Sequence, residues 1–207
     1  MIAVLDYEAG NLTSVELAVR HVGGRVRVTQ DPAVVERAER VIFPGVGSAA
    51  SCMANLKRLG LDRALYEAFE AGKPILAICI GLQLLFDRSA EDGGVDCLGL
   101  LPGTVERFAF GSGATAKIPH MGWNEVEPAQ PHPLLDGFPA HGACYFVHSY
   151  HPVPARAEVV FCETEYAGIR FCSAAGRANL FGTQFHPEKS GQIGLGLLER
   201  FLAWPGR

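Results

Sequence analysis

Cys79 stands where an apolar run, Ile75-Leu76-Ala77-Ile78, gives way to Ile80-Gly81-Leu82-Gln83. A nucleophile at a sharp strand-to-helix turn is held out toward substrate, beside backbone N–H groups. A thiol attacks only as its thiolate, and a helix N-terminus or a nearby imidazole lowers its pKa. Far downstream, Gln184-Phe185-His186-Pro187-Glu188 supplies a base and a carboxylate two positions apart. In an extended segment both side chains point the same way. Glu188 can then accept from one imidazole nitrogen while the other faces Cys79, which fixes the tautomer as in a Ser-His-Asp triad. Cys79, His186 and Glu188 are therefore the candidate catalytic residues. Alone, Cys79 reads better as an inert strand cysteine, and His-x-Glu as the end of a surface strand. The combination points to a thiol enzyme.

Gly45-Val46-Gly47-Ser48-Ala49-Ala50 matches the G-x-G-x-x-A dinucleotide fingerprint. It follows the third predicted strand rather than the first, and the next strand ends in Cys79 rather than in the acid that would hold a ribose. Its glycines suit an oxyanion hole better, with Gly47 and Ile80 as main-chain donors. His148 and His151 are close in sequence, but no acid or thiol lies at ligand spacing, so no metal is expected. No cofactor is implied.

The elements that must position these groups alternate in the first half. Strands are predicted at Ile2–Asp6, Val26–Thr29, Arg40–Phe43 and Pro74–Ile78. Helices are predicted from about Thr13, near Ala49–Leu59, near Leu61–Ala71, and from Gly81 after the elbow. Thr13 and Glu16 fit a capping box, and Val15, Ala18, Val19 and Val22 share a helical face. Such alternation builds a mostly parallel central sheet with helices on both faces. The second half shows short strands near Val105–Phe108, Asn124–Val126, Cys144–His148, Glu158–Cys162, Ile169–Ser173 and Asn179–Gln184, then a helix near Ile193–Trp204. These predict added antiparallel strands. Asp87–Asp96 and Pro128–Pro133 read as loops. The expected class is α/β, as a single domain over residues 1–207.

At 207 residues the chain can bury a real core. A net charge of −4 with scattered Lys and Arg argues against nucleic acid and anionic membrane. No apolar run reaches the ~20 residues of a membrane span. The six cysteines lack a CxxC pair, and Met1-Ile2-Ala3-Val4 lacks the basic start of a leader. Reduced thiols in a cytoplasmic protein are expected.

Together these segments are similar to those of class I glutamine amidotransferases: Ile78-Cys79-Ile80-Gly81-Leu82-Gln83 and His186-Pro187-Glu188 resemble the triad segments of that superfamily. Asp6-Tyr7-Glu8-Ala9-Gly10-Asn11-Leu12, Pro44-Gly45-Val46-Gly47, Pro119-His120-Met121-Gly122-Trp123-Asn124 and Tyr145-Phe146-Val147-His148-Ser149-Tyr150 narrow the resemblance to the glutaminase subunits of imidazole glycerol phosphate synthases. That resemblance implies hydrolysis of glutamine to glutamate and ammonia. The ammonia would serve a separate (β/α)₈-barrel cyclase subunit, paired with this chain as a heterodimer in histidine biosynthesis. It implies substrate contacts by Gln83, Ser149 and Tyr150, the last two through their backbone, and a partner face including Asn11, Trp123 and Lys189. Glu8 and Ala77 stand where the family usually has Gly, Thr13 where it has Arg, and Ile80 and Leu82 replace Leu and Met. Three alternatives remain: the glutaminase of another amidotransferase, serving pyridoxal phosphate or anthranilate synthesis; a partner-free cysteine hydrolase; and a regulatory subunit without catalysis.

Overall fold

The computed structural model describes residues 1–10, 12–111 and 116–206. Four strands of the first half, β1 (Ile2–Leu5), β2 (Val26–Thr29), β3 (Arg40–Phe43) and β4 (Ile75–Ile78), are joined through helices α1 (Leu12–His21), α2 (Pro32–Arg37), α3 (Ala49–Leu59) and α4 (Leu61–Glu70). One helical turn, α5 (Ile80–Gln83), follows β4. The second half supplies β5 (Arg88–Ser89), β6 (Val95–Asp96), β7 (Gly103–Arg107), β8 (His120–Pro128), β9 (Gly142–His148), β10 (Tyr150–Pro154), β11 (Val160–Tyr166), β12 (Ile169–Arg177) and β13 (Leu180–Thr183). Helix α6 (Gly191–Ala203) comes last.

The main sheet has the order β2-β1-β3-β4-β13-β12-β11-β8-β9. It is parallel from β2 to β13 and antiparallel from β13 to β9. A smaller sheet runs β10-β7-β5-β6. The change of direction falls at β13, beside β4, so the end of the parallel half and the start of the antiparallel half meet next to Cys79.

Strands β1, β4 and β13 are buried at every position, as the inner strands of a sheet covered on both faces must be. Alternate residues divide between two cores. Ala3, Leu5, Val41, Phe43, Ile75 and Ala77 pack with Met53 and Leu56 of α3 and Leu61 and Leu65 of α4. Ile2, Val4, Ile42, Leu76 and Ile78 pack with Val15 and Val19 of α1 and Leu197, Leu198 and Phe201 of α6. Each such large side chain contributes about 1.5–3 kcal/mol when fully buried. No helix of the described residues is long and apolar enough to cross a membrane.

The structure corrects the sequence reading in several places. Thr13 lies inside α1, which already includes Leu12, so it is not an N-cap and the capping box does not form. Asp87–Asp96, read as a loop, holds β5, a 3₁₀ turn at Glu91–Gly93, and β6. Helix α2 was not foreseen. Its six residues are too few for periodicity, but Asp31 caps the Ala33 N–H at 2.9 Å and Pro32 opens the first turn. Strand β10 was missed because Pro152 and Pro154 interrupt it, and it sits where prolines are tolerated, at a sheet edge. Glu8 adopts φ 61°, which accounts for the usual glycine there. Its carboxylate reaches Arg58 at 2.7 Å. Ala77 faces Gly182, which lacks a side chain where Leu82 and the Ala77 methyl crowd together.

Candidate active site

Strand β4 ends at Cys79, whose φ of 57° and ψ of −111° make a strained turn into α5. Two glycines permit it. A Cβ on Gly81 would lie 2.0 Å from the Phe43 carbonyl oxygen, and one on Gly45 would lie 1.9 Å from the Tyr7 hydroxyl and 2.3 Å from Ile80 Cγ2. The elbow is thus pressed against the end of β3. Tyr7, fully buried, donates to the Pro44 carbonyl at 2.7 Å and fixes the start of the glycine loop. The Cys79 N–H donates to Thr183 O at 2.7 Å, tying the elbow to β13. Because α5 is a single turn, it offers Cys79 local N–H groups rather than the dipole of a long helix.

His186 and Glu188 do not lie in an extended segment. Pro187–Lys189 is a 3₁₀ turn with His186 at its N-terminal boundary. Glu188 Oε1 is 2.8 Å from His186 Nδ1, and both side chains are 4% exposed. Ser190 locks this turn: its hydroxyl donates to His186 O at 2.6 Å and accepts from the Tyr145 N–H at 3.0 Å. The His186 N–H also donates to Tyr145 O at 2.9 Å. Burial by itself lowers the pKa of His186, but the Cys79 sulfur and the Glu188 carboxylate outweigh it and raise the value above the ordinary histidine range. Among the described residues, His186 Nε2 and Glu188 Oε2 are buried without a partner of hydrogen-bond geometry. The thiol instead points at Val147 O, 3.9 Å away. An imidazole nitrogen left open near a sulfur is the arrangement a proton transfer between the two requires.

A cavity of about 320 Å³ opens over Cys79. That is the lower end of the ~300–1,000 Å³ usual for ligand pockets, and suits a molecule the size of an amino acid. Gly47, Ile80, Gln83, Ser149 and Tyr150 all line it. Gly47 has φ 118° and the Val46 carbonyl accepts weakly from the Cys52 thiol at 3.8 Å, so the Gly47 N–H lies on the opposite edge of that peptide. Gln83 Nε2 donates to Tyr150 O at 2.8 Å and to Gln184 Oε1 at 2.9 Å. With both amide hydrogens used, Gln83 has only its Oε1 acceptor to offer, so a ligand must meet it with an N–H or O–H.

Tyr150 O cannot serve a ligand as an acceptor. His148 Nδ1 lies 2.8 Å from it, and Gln83 fills its second lone pair. Ser149 O accepts from the Phe108 N–H at 3.1 Å. The backbone contacts expected of these two residues therefore reduce to their N–H groups and the second lone pair of Ser149 O. His148 is held in turn by His120, Nδ1 to Nε2 at 2.9 Å, and His120 by Asn124 at 3.2 Å. Since Tyr150 O only accepts, His148 carries its proton on Nδ1 and the chain of donors runs from Asn124 inward. Burial keeps both rings neutral, with His120 lowered to about 4 and His148 to about 3.

Two titratable lining residues, Glu91 and His148, were given no role in the site from sequence, where His148 was considered only as a metal ligand. Glu91 Oε2 accepts from the Ala49 N–H at 2.8 Å, capping α3 from outside, while burial raises its pKa. Its signal was the acidic pair Glu91-Asp92, hidden in a segment read as loop. On the outer face of the β8–β9 ribbon, Met121 and Trp123 are exposed, at 63% and 60%, and the Lys189 ammonium lies 5.7 Å from the Tyr145 ring. Trp123 meets the same ring edge-on. Asn11 lies outside the described residues.

Residues 3–203 match the family described as glutamine amidotransferase class-I. Among solved structures, one described as a glutamine amidotransferase superposes with a TM-score of 0.73 at 19% identity, covering 100% of this chain and 99% of the other. PurLQS from Thermotoga maritima gives 0.73 at 17%, covering 98% and 97%. Among sequences, the imidazole glycerol phosphate synthase subunit HisH of Aromatoleum aromaticum is 50% identical over 98% of both chains. The subunit HisH 1 of Pseudomonas aeruginosa is 47% identical over 100% of this chain and 98% of its own. This chain belongs to the class I glutamine amidotransferase family and, within it, to the HisH subunits of imidazole glycerol phosphate synthase.

Proposed function

We propose that this chain, acting as one domain in the cytoplasm, hydrolyses glutamine at Cys79, His186 and Glu188 and passes the ammonia to a separate cyclase subunit in histidine biosynthesis. The observation that carries this reading is the buried His186–Glu188 pair, 2.8 Å apart, beside a cysteine on a strained elbow at the floor of a cavity.

The thiol proton of Cys79 passes to His186 Nε2, and the thiolate attacks the side-chain amide carbon of glutamine. The oxygen of the tetrahedral intermediate takes hydrogen bonds from N–H groups at Gly47 and Ile80. His186 gives its proton to the departing nitrogen, so ammonia leaves and a glutamyl thioester remains. His186 then takes a proton from water, hydroxide attacks the thioester carbon, and the thiol is restored as glutamate departs. Glu188 holds the imidazole tautomer throughout and stabilises its charged form. Gln83 Oε1 and the Glu91 carboxylate are acceptors on the cavity wall, which matches the α-ammonium group of an amino acid. Neither a metal nor a cofactor enters this scheme.

The names of the relatives support a partner, and the exposed Met121, Trp123 and Lys189 cluster supports this ribbon as the face it meets. The test is glutaminase turnover of the pure chain, alone and with the cyclase subunit and its nucleotide ligand. Ammonia release that rises when both are added supports the reading. A rate on other amides that exceeds the rate on glutamine, with no effect of the partner, would favour a free-standing cysteine hydrolase.

A further inference from the structure

Gln184 follows β13, is fully buried, and was given no role above. Its Nε2 lies 3.6 Å from Cys79 Sγ, within range of an N–H donor on sulfur, and its Oε1 accepts from Gln83. The direction of that amide is set by a neighbour that cannot reverse. Tyr150 O has no proton to give, so Gln83 must turn its Nε2 toward it. The same Nε2 needs an acceptor on Gln184, which leaves only the Gln184 NH₂ to face the sulfur. Turning Gln184 over would set two NH₂ groups against each other and an amide oxygen against the sulfur. The main chain holds the residue on both sides: the Gln184 N–H donates to Ser173 O at 2.8 Å, and Thr183 O takes the Cys79 N–H.

The thiol and the thiolate see this surrounding differently. As a thiol, Sγ–H can donate to Val147 O. Once its proton has moved to His186 Nε2, sulfur can only accept, and Val147 O becomes an unfavourable neighbour. We propose that Gln184 is a further catalytic residue, which stabilises the Cys79 thiolate through its side-chain N–H and is aimed by Gln83. This rests on the reading of Cys79 as the nucleophile. It separates two tasks for adjacent glutamines: Gln83 meets the substrate, and Gln184 meets the attacking atom.

The test is the pH dependence of alkylation of Cys79 by iodoacetamide in the full chain, with the labelled cysteine located by peptide mass. Burial pushes Cys52 and Cys97 up to about 11 and Cys144 to about 12, which leaves them unreactive at neutral pH. Gln184→Leu removes the donor at similar size. Gln184→Glu keeps an acceptor for Gln83 and turns a second oxygen to the sulfur. Both variants are first checked for a cooperative thermal transition. The midpoint of the alkylation profile is expected to rise by about one pH unit in Gln184→Leu, a tenfold loss of thiolate at neutral pH, and further in Gln184→Glu. A midpoint unchanged in whichever variant folds would overturn the assignment. Should wild-type Cys79 itself react no faster at neutral pH than a free cysteine, the reading of Cys79 as nucleophile fails first.

Discussion

The two ends of the proposed triad are held by different means. Cys79 is placed by backbone: a strained φ, a hydrogen bond to β13, and glycines that let the elbow pack on β3. His186 and Glu188 are placed mostly by side chains, one ion pair and the Ser190 hydroxyl, with a single main-chain bond from the His186 N–H to Tyr145 on β9. The first end belongs to the buried parallel half of the sheet. The second is tied to the edge strand of a ribbon that exposes Met121 and Trp123. Nucleophile position is thus built into the core, while the orientation of the base depends on an exposed edge ribbon, the face proposed above for a partner. Substitutions at the first end should act on folding and chemistry together, and those of His186 and Glu188 themselves mainly on chemistry.

The largest effect on folding, with loss of chemistry beside it, is expected from Gly81→Ala. Its methyl would overlap the Phe43 carbonyl, so strand β3 or the elbow must move. Overpacking of this kind costs about 1–3 kcal/mol or more. A lowered thermal midpoint together with loss of Cys79 alkylation is the expected pair of readings. A wild-type midpoint would mean that the elbow tolerates a side chain and the comparison breaks.

His186→Asn should leave the midpoint within the range of an ordinary substitution while glutamine turnover falls by on the order of 10⁴–10⁶. Glu188→Gln should retain more, with a loss of no more than about 10⁴, because the carboxylate orients and stabilises but moves no proton. The double variant should be little slower than His186→Asn alone. If the two losses multiply instead, the residues do not act as a unit.

Ser190→Ala removes the hydroxyl that links the turn to β9 and leaves the Tyr145 N–H without it. A loss of about 1–3 kcal/mol in stability and a smaller loss of turnover than in Glu188→Gln are expected. Chemical denaturation and steady-state kinetics read both.

The smallest effect concerns acid. Burial holds His120 and His132 near 4 and His148 near 3, below the ~6.5 of an unfolded histidine. Between those values the unfolded chain binds more protons at these three rings, so the share of stability they govern is full above about pH 6.5 and falls as pH drops toward 4. His120→Gln should flatten this slope in a series of thermal melts, whereas an unchanged slope would remove His120 from it.

Much of this was legible in the sequence because its signals are local. An apolar run broken by Cys79 and Gly81 marks an elbow, and β-branched runs separated by helical faces mark a parallel sheet. The candidate triad could be named from residue types together with their placement, a Cys at the end of an apolar run and a downstream His-x-Glu. What escaped depends on contacts distant in sequence or on elements too short to show a period. The 3₁₀ turn at Pro187–Lys189 gives the same His-to-Glu reach as an extended pair, so spacing could not distinguish them. Glu91 lines the cavity only because its segment folds back on the start of α3. The commitment of Tyr150 O to Gln83 and His148 appears only when β10 is in place beside β7.

The central claim is that the glutamyl group is carried by Cys79. The direct measurement is rapid acid quenching of the chain, with its cyclase partner and labelled glutamine, followed by peptide mass analysis. The account predicts a glutamyl thioester on the peptide that contains Cys79, absent from Cys79→Ser and accumulating when deacylation is slowed. A thioester on any other cysteine, or undiminished ammonia release by Cys79→Ser, would contradict it.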